Sequence, residues 1–287
     1  MTLWPTVAEQ ISTQTGIPFV VGAVHPQGGG CISATYVVED GQRRYFVKVN
    51  DAHRSAMFTA EAAGLAELAR PRCLRIPTPI TVGVSGQCAF LVLEYLDLDT
   101  RNHTGMAQMG RGLALLHRTT QDHFGWCMDN TLGATPQHNP ETKDWVSFWG
   151  KYRLGFQLDL AHSIRRGEEL LAKLPAFFTD YRPRPSLVHG DLWRGNAALT
   201  RTGEPALFDP AVYYGDREVD LAMTELFGGF DAHFYAAYRE AWPLDSGYSV
   251  RKQLYNLYHI LNHFVLFGGS YRNQAIQMVD TLLAELG

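Results

Sequence analysis

Cysteine is scarce in this 287-residue chain. The four present, Cys31, Cys73, Cys88 and Cys127, are scattered, with no CxxC pair. Nothing in their placement demands a disulfide framework, so a reducing, cytoplasmic setting is expected. Long apolar runs are missing too. The longest candidate, Ile260 to Phe267, is interrupted by Asn262 and His263 and falls short of the ~18–20 residues of a membrane span. The opening MTLWPTVAEQ has no basic segment followed by an apolar stretch, so no secretory signal is read there. Positive charge is not in excess: 25 Lys and Arg against 29 Asp and Glu give a formal charge of −4. That balance argues against a nucleic-acid partner, which would call for a basic domain. Repeats and low-complexity linkers are absent as well.

What is present is an ordinary globular composition, 46% hydrophobic and 19% charged, in a chain long enough for one large domain or two lobes. Leu3, Val7 and Ile11 recur every four residues, which predicts a short amphipathic helix. Residues 19–25 and 31–38 read as strands around Gly28-Gly29-Gly30, and Asp40-Gly41 turns the chain into a further strand over 44–49. Residues 54–70, rich in Ala, Glu and Leu, predict a helix ending before Pro71. Two more strands are expected over 79–84 and 88–95. Beyond Leu96 the spacing turns helical: 106–116, one long helix or two over 145–174, then 217–227, 231–241, 249–267 and 271–286, with short strands at 187–189, 197–199 and 206–208. The expected fold class is therefore α+β: a small β-rich N-lobe over 1–95 joined to a larger, mostly helical C-lobe over 96–287. The cleft between them is the expected ligand site.

The chemistry concentrates in HGDLWRGN, residues 189–196, followed by FDP at 208–210. Asp191 lies five residues before Asn196, and Asp209 thirteen beyond it. Kinases use this grammar: an Asp that accepts a hydroxyl proton, an Asn that holds metal and a later Asp that holds metal again. Phosphoryl transfer requires a positioned hydroxyl and neutralised phosphate charge, and hard oxygen ligands around Mg²⁺ supply the second. Asp191 is the candidate catalytic residue; Asn196 and Asp209 are the candidate Mg²⁺ ligands. His189 reads as scaffold, an imidazole that holds the loop.

An ATP half can be read upstream. Gly28, Gly29 and Gly30 would let backbone N–H groups approach phosphates, with Ser33 where the third glycine of GxGxxG would fall; an ordinary glycine hairpin turn is the competing reading. Lys48, in the strand-like YFVKVN, can reach the nucleotide's phosphates, and Glu61 in the following helix is its candidate partner, with Glu67 the second choice. LVLEYL (91–96) would form the hinge, with the Glu94 carbonyl and the Leu96 N–H toward adenine. Asp220 is read as structural, bonding the catalytic-loop backbone. Asp216 and Arg217 either cap the following helix or face the substrate. His117 and Arg118 are read as packing or loop-anchoring residues.

Taken together, these residues resemble the fructosamine kinase (ketosamine-3-kinase) family of the protein-kinase-like superfamily, beside aminoglycoside and choline kinases. The resemblance spans nearly the whole chain. It rests on GGGCIS (28–33), FVK (46–48), LEYL (93–96), LLHR (115–118), DNTLGATPQ (129–137), HGDLWRGN and FDPAVYYGDREVDLAMTELFGGF (208–230). It implies a bilobal protein-kinase-like fold, and ATP- and Mg²⁺-dependent phosphorylation of the 3-hydroxyl of ketosamines. These are fructosamines or ribulosamines, free or protein-bound, and the reaction implies a deglycation role. It also implies that Cys31 can serve as a redox switch between two subunits, making the protein a monomer or a redox-sensitive homodimer; an inert thiol is the alternative. Trp193 would wall a sugar ring or pack the loop, and Arg194 would touch an anionic group or face solvent. FDP stands in place of the protein-kinase DFG. Two other functions stay open at this point: a kinase of the same fold acting on an aminoglycoside, amino alcohol or sugar, and a silent nucleotide-binding module.

Overall fold

Alternation of side chains along the central strands decides how the N-terminal part is built. The structure, a computed structural model, describes residues 3–28, 32–99 and 104–287. Helix α1 (Leu3–Thr15) precedes strands β1 (Ala23–Gln27), β2 (Ala34–Glu39) and β3 (Arg44–Asp51). Helix α2 (Ser55–Ala69) then leads to β4 (Pro79–Ser85) and β5 (Cys88–Glu94). The five strands form one antiparallel sheet in the order β1-β2-β3-β5-β4. Val47, Phe90 and Val92 point to one face, where Val7 and Ile11 of α1 cover them. Ala89, Leu91 and Leu93 point to the other, toward Phe58, Leu65 and Leu68 of α2. Lys48 is paired with Leu91, so the period of two places it on the α2 face.

The remainder is mostly helical. It runs through β6 (Leu98–Asp99), α3 (Met106–His117), β7 (Asn130–Leu132), β8 (Thr135–Gln137), α4 (Trp145–Trp149), α5 (Phe156–Ala161) and α6 (Gly167–Lys173). Then come β9 (Ser186–Val188), β10 (Ala197–Thr200), β11 (Pro205–Leu207) and β12 (Tyr213–Gly215). Helices α7 (Glu218–Leu226), α8 (Ala232–Ala241), α9 (Tyr248–Phe267) and α10 (Tyr271–Glu285) close the chain. The larger core joins α2 to α3, α8 and α9 through residues such as Leu113, Phe234, Leu254 and Leu257. No helix among the described residues is long and apolar enough to cross a membrane.

Several elements depart from the expected ones. The first strand begins at Ala23, not at residue 19, because the Phe19 N–H donates to Ser12 Oγ at 2.8 Å and the ring is buried against α1 and β3. The helix expected over 145–174 widens into a π-helical stretch at Gly150–Gly155. A Cβ on Gly155 would stand 2.4 Å from the Gly150 carbonyl oxygen, so glycine is what permits the wider turn. The helix then breaks where His162 and Arg166 take left-handed φ values of 52° and 63°. The β7–β8 hairpin and β12 were not expected; at three residues each they show almost no period.

Helix α9 buries His259, which is 3% exposed and whose Nδ1 has no partner among the described residues. Burial pulls its pKa from 6.5 down to about 3, and burial likewise lowers those of His117 and His189. A base whose pKa is depressed by folding takes up its proton more readily when unfolded. The contribution of His259 is therefore full above about pH 6.5 and falls below it, by about 1.4 kcal/mol per pH unit. Raised carboxyls such as Asp191 act in the opposite direction over this range, so the measurement is a difference: urea unfolding between about pH 6.5 and 4 should give slopes for wild type and His259→Leu that differ by about one proton, and equal slopes would contradict the assignment.

Candidate active site

The segment that carries Asp191 is held from behind. β9 pairs with β12, with Val188 opposite Tyr213 and Ser186 opposite Gly215, and runs into His189 and Gly190. Both backbone N–H groups donate to Asp220, at 2.7 and 2.9 Å. Asp220, at the start of α7, is buried and also receives His117 Nε2 at 3.1 Å. Burial by itself would raise its pKa, but these donors outweigh it and keep the carboxyl below its usual range. His189 Nε2 meets the Phe208 carbonyl at 3.0 Å, and the Asp191 N–H reaches Nδ1 at 3.3 Å. A carbonyl only accepts, so Nε2 carries the proton and the ring is neutral. Gly190 has φ +81°, and a Cβ there would lie 2.1 Å from the Ala211 carbonyl oxygen. Only glycine fits between the loop and the 208–212 segment.

One cavity of about 190 Å³ gathers seven of the predicted residues. Ser33 comes from the bend before β2, Lys48 from β3 and Glu61 from α2. Asp191, Trp193 and Asn196 come from the loop after β9, and Asp209 from the turn after β11. Lys48 Nζ donates to Glu61 Oε1 at 2.5 Å and to Asp209 Oδ1 at 2.7 Å. Burial by itself would lower the lysine pKa, but Asp209 and Glu61 hold it above its usual range. Burial pushes Glu61 up against the pull of Lys48. Asp209 has φ +57°, a left-handed conformation uncommon for a residue with a side chain. It aims a half-exposed carboxylate into the cavity. Asn196 Nδ2 donates to the Asp191 carbonyl at 2.9 Å and to its Oδ2 at 3.2 Å. The amide oxygen is left without a protein partner among the described residues. Burial and the Asp209 charge raise the Asp191 pKa to about 7. Trp193, 38% exposed, borders the cavity and lies over Gly195.

The donor set fits a divalent ion held in part by phosphate. One ammonium faces the carboxylates of Glu61, Asp209 and Asp191, a deficit of two positive charges. Asn196 and Asp209 both line the cavity and carry hard oxygens. Among the described residues no group of three or more His, Cys, Asp or Glu forms a closed metal cage.

Other predicted residues lie elsewhere. Asp216 is buried away from this cavity, and assigning it to substrate is corrected. β12 runs antiparallel to β9, so Asp216 falls at the Ser186 end, opposite the catalytic loop. There it accepts from Tyr181 Oη, Tyr255 Oη and the Glu218 N–H, capping α7. Arg194 faces a second hollow, with Asp99 and Gly228, on the other side of the loop. The Glu94 side chain pairs with Arg75 and accepts from the Thr78 N–H at 3.2 Å, on the outer surface. Leu96 is half-buried in the segment between β5 and β6, and Gly28 ends the described part of its loop. Gly29, Gly30 and Cys31 lie outside the described residues. Glu67, the second choice for Lys48, is bonded to Tyr214 Oη at 2.6 Å.

The β7–β8 hairpin was missed as part of the site. Asn130, Thr131 and Gly133 line the cavity opposite Lys48. Asn130 Nδ2 donates to the Val212 carbonyl at 2.7 Å and Gln137 Nε2 to that of Ala211 at 3.0 Å, tying the hairpin to the residues after Asp209. Arg153, fully buried, donates to the His138 carbonyl and to Asn139 Oδ1 and lies between the Phe148 and Tyr213 rings. Gly133 with positive φ, between two short polar-flanked segments, is the turn signal that could have marked the hairpin.

Replacing Asp220 by Asn puts an amide donor against N–H groups already donating. Asp220→Asn should lower the unfolding free energy by about 2–4 kcal/mol, read by urea denaturation; wild-type stability would show that the carboxylate does not hold the loop.

A family model for fructosamine kinase matches residues 3–285. A probable ketoamine kinase of Synechocystis is 50% identical over 286 residues, covering 98% of this chain and 97% of the relative. The chloroplastic protein-ribulosamine 3-kinase of Arabidopsis thaliana is 38% identical over 269 residues, covering 90% of this chain and 82% of the relative. Among solved structures, a Haemophilus somnus chain assigned as fructosamine-3-kinase matches with a TM-score of 0.92 at 27% identity, over 98% of this chain and 100% of that one. An aminoglycoside phosphotransferase and a choline kinase share the protein-kinase-like fold at TM-scores of 0.61 and 0.63, with 14% and 16% identity. The chain belongs to the fructosamine kinase family.

Proposed function

We propose that this protein phosphorylates the 3-hydroxyl of a ketosamine, a fructosamine or ribulosamine, free or protein-bound, with ATP as phosphoryl donor. The observation that carries the reading is the convergence of Lys48, Glu61, Asp191, Asn196 and Asp209 on one cavity. The naming of relatives as ketoamine and ribulosamine kinases supports the acceptor.

Each residue takes a role from its position. Asp191 orients the acceptor hydroxyl and takes its proton as the phosphoryl group transfers. Lys48, held by Glu61, positions the phosphates. Asn196 Oδ1 and the Asp209 carboxylate would hold Mg²⁺, which when bound neutralises phosphate charge. Ser33, at the mouth of the glycine turn, borders the phosphate region, and the Glu94 carbonyl with the Leu96 N–H would meet adenine. Trp193 walls the sugar. A phosphate placed at C3, beside an enolisable carbonyl, is a good leaving group, so the product breaks down and the amine is freed. That chemistry implies a deglycation role.

Asp191→Asn should lower kcat by about 100- to 10,000-fold while nucleotide affinity changes little. Lys48→Met should weaken nucleotide binding as well as turnover. ATP consumption measured with Mg²⁺ across fructosamine, ribulosamine, aminoglycoside, choline and free-sugar acceptors tests the substrate class. Robust turnover of another class with neither ketosamine used would overturn the reading.

A further inference from the structure

A cavity of about 470 Å³ lies away from the cleft, between the end of α3, the segment before β9 and the start of α7. Arg118, Arg182, Arg184 and Arg217 line it, between the rings of Tyr181 and Trp242. Among the described residues none of these four guanidinium groups has a carboxylate within ion-pair distance. Arg217 is only 6% exposed. It donates to Tyr238 Oη and to the carbonyls of Trp242 and Pro243, and lies 4.1 Å over the Trp242 ring. Those contacts fix its place and are all to neutral groups, so no direct ion pair holds the guanidinium, although the buried Glu218 carboxyl feels its charge. The acidic group in the lining, Asp216, accepts from Tyr181, Tyr255 and the Glu218 N–H, and against four guanidinium groups it leaves the cavity with an excess of positive charge. Its neighbour Glu218 is paired with Arg251.

A second observation points the same way. Ser186 lines the cavity at 1% exposure, and its hydroxyl has no partner among the described residues. A buried hydroxyl left unmade costs free energy that a ligand oxygen would recover. Four cations in one hollow suit a dianion better than a carboxylate, and guanidinium forks match phosphate oxygens in pairs. The volume exceeds that of phosphate alone, and the aromatic walls suit an organic portion.

We propose that this cavity is a second ligand site that binds the phosphate dianion of a small phosphomonoester, separate from the cleft that holds Asp191. Calorimetric titration of the whole protein with ribose 5-phosphate and with inorganic phosphate tests it. Wild type and Lys48→Ala, which removes the ammonium of the cleft and no residue of this cavity, should show one saturable site of equal affinity. The double variant Arg118→Ala/Arg184→Ala, at two exposed positions, should weaken it by about 100-fold, and Ser186→Ala by about tenfold. Tighter binding of ribose 5-phosphate identifies a phosphomonoester as the ligand; equal binding of inorganic phosphate identifies the free ion. No saturable binding up to about 10 mM, unchanged affinity in the double variant, or loss in Lys48→Ala would each overturn the proposal.

Discussion

The ammonium of Lys48 stands between two carboxylates from distant parts of the chain, Glu61 on α2 and Asp209 after β11. The first contact fixes α2 against the sheet. The second joins the sheet to the segment that also carries the Asn196 and Asp191 contacts. Removing Lys48 would leave the buried Glu61 carboxyl without its cation, which is why such a cluster is held together more firmly than its net stabilisation suggests. The cluster carries more negative than positive charge, and burial together with the Asp209 charge raises the Asp191 pKa. A site poised in this way favours a divalent cation beside phosphate.

A second polar chain supports the first from below. Arg217 donates to Tyr238, Tyr238 meets His117 Nδ1 at 2.8 Å, His117 bonds Asp220, and Asp220 holds the backbone of His189 and Gly190. The neutral imidazole of His117 suits this chain: one nitrogen donates to a carboxylate and the other accepts from a hydroxyl. The loop is thus set by fully satisfied buried groups, an arrangement that specifies one geometry because every alternative leaves a donor or acceptor unmade. The same chain ends at Arg217, on the wall of the arginine-lined cavity.

Much of this was legible in the sequence where a period or a spacing is strong. The long helices α2, α3, α9 and α10 follow their apolar repeats, and the strands over 34–51 and 79–94 follow theirs. Spacing alone singles out Asp191, Asn196 and Asp209, and Glu61 is singled out by lying one helix after a strand lysine; the structure places the four around one cavity. The reading failed where elements are three residues long, as in β7, β8 and β12. It also failed where a side chain's direction depends on a partner strand, as with Asp216. Arg194 lies beside Trp193 in sequence, yet faces a different hollow.

The sequence by itself determined the kinase-like order of chemical groups, the α+β class and the family, because local spacing and hydrophobic period are properties of the chain alone. Only the tertiary structure decided that Asp216 caps α7 instead of meeting substrate. It alone brought Asn130, Thr131 and Gly133 over the cleft and set four arginines around one buried hydroxyl. Those outcomes depend on antiparallel pairing and buried hydrogen bonds between residues as far apart as Gln137 and Ala211. No local pattern records such pairings, because their free energy exists only once the core has brought both partners out of water.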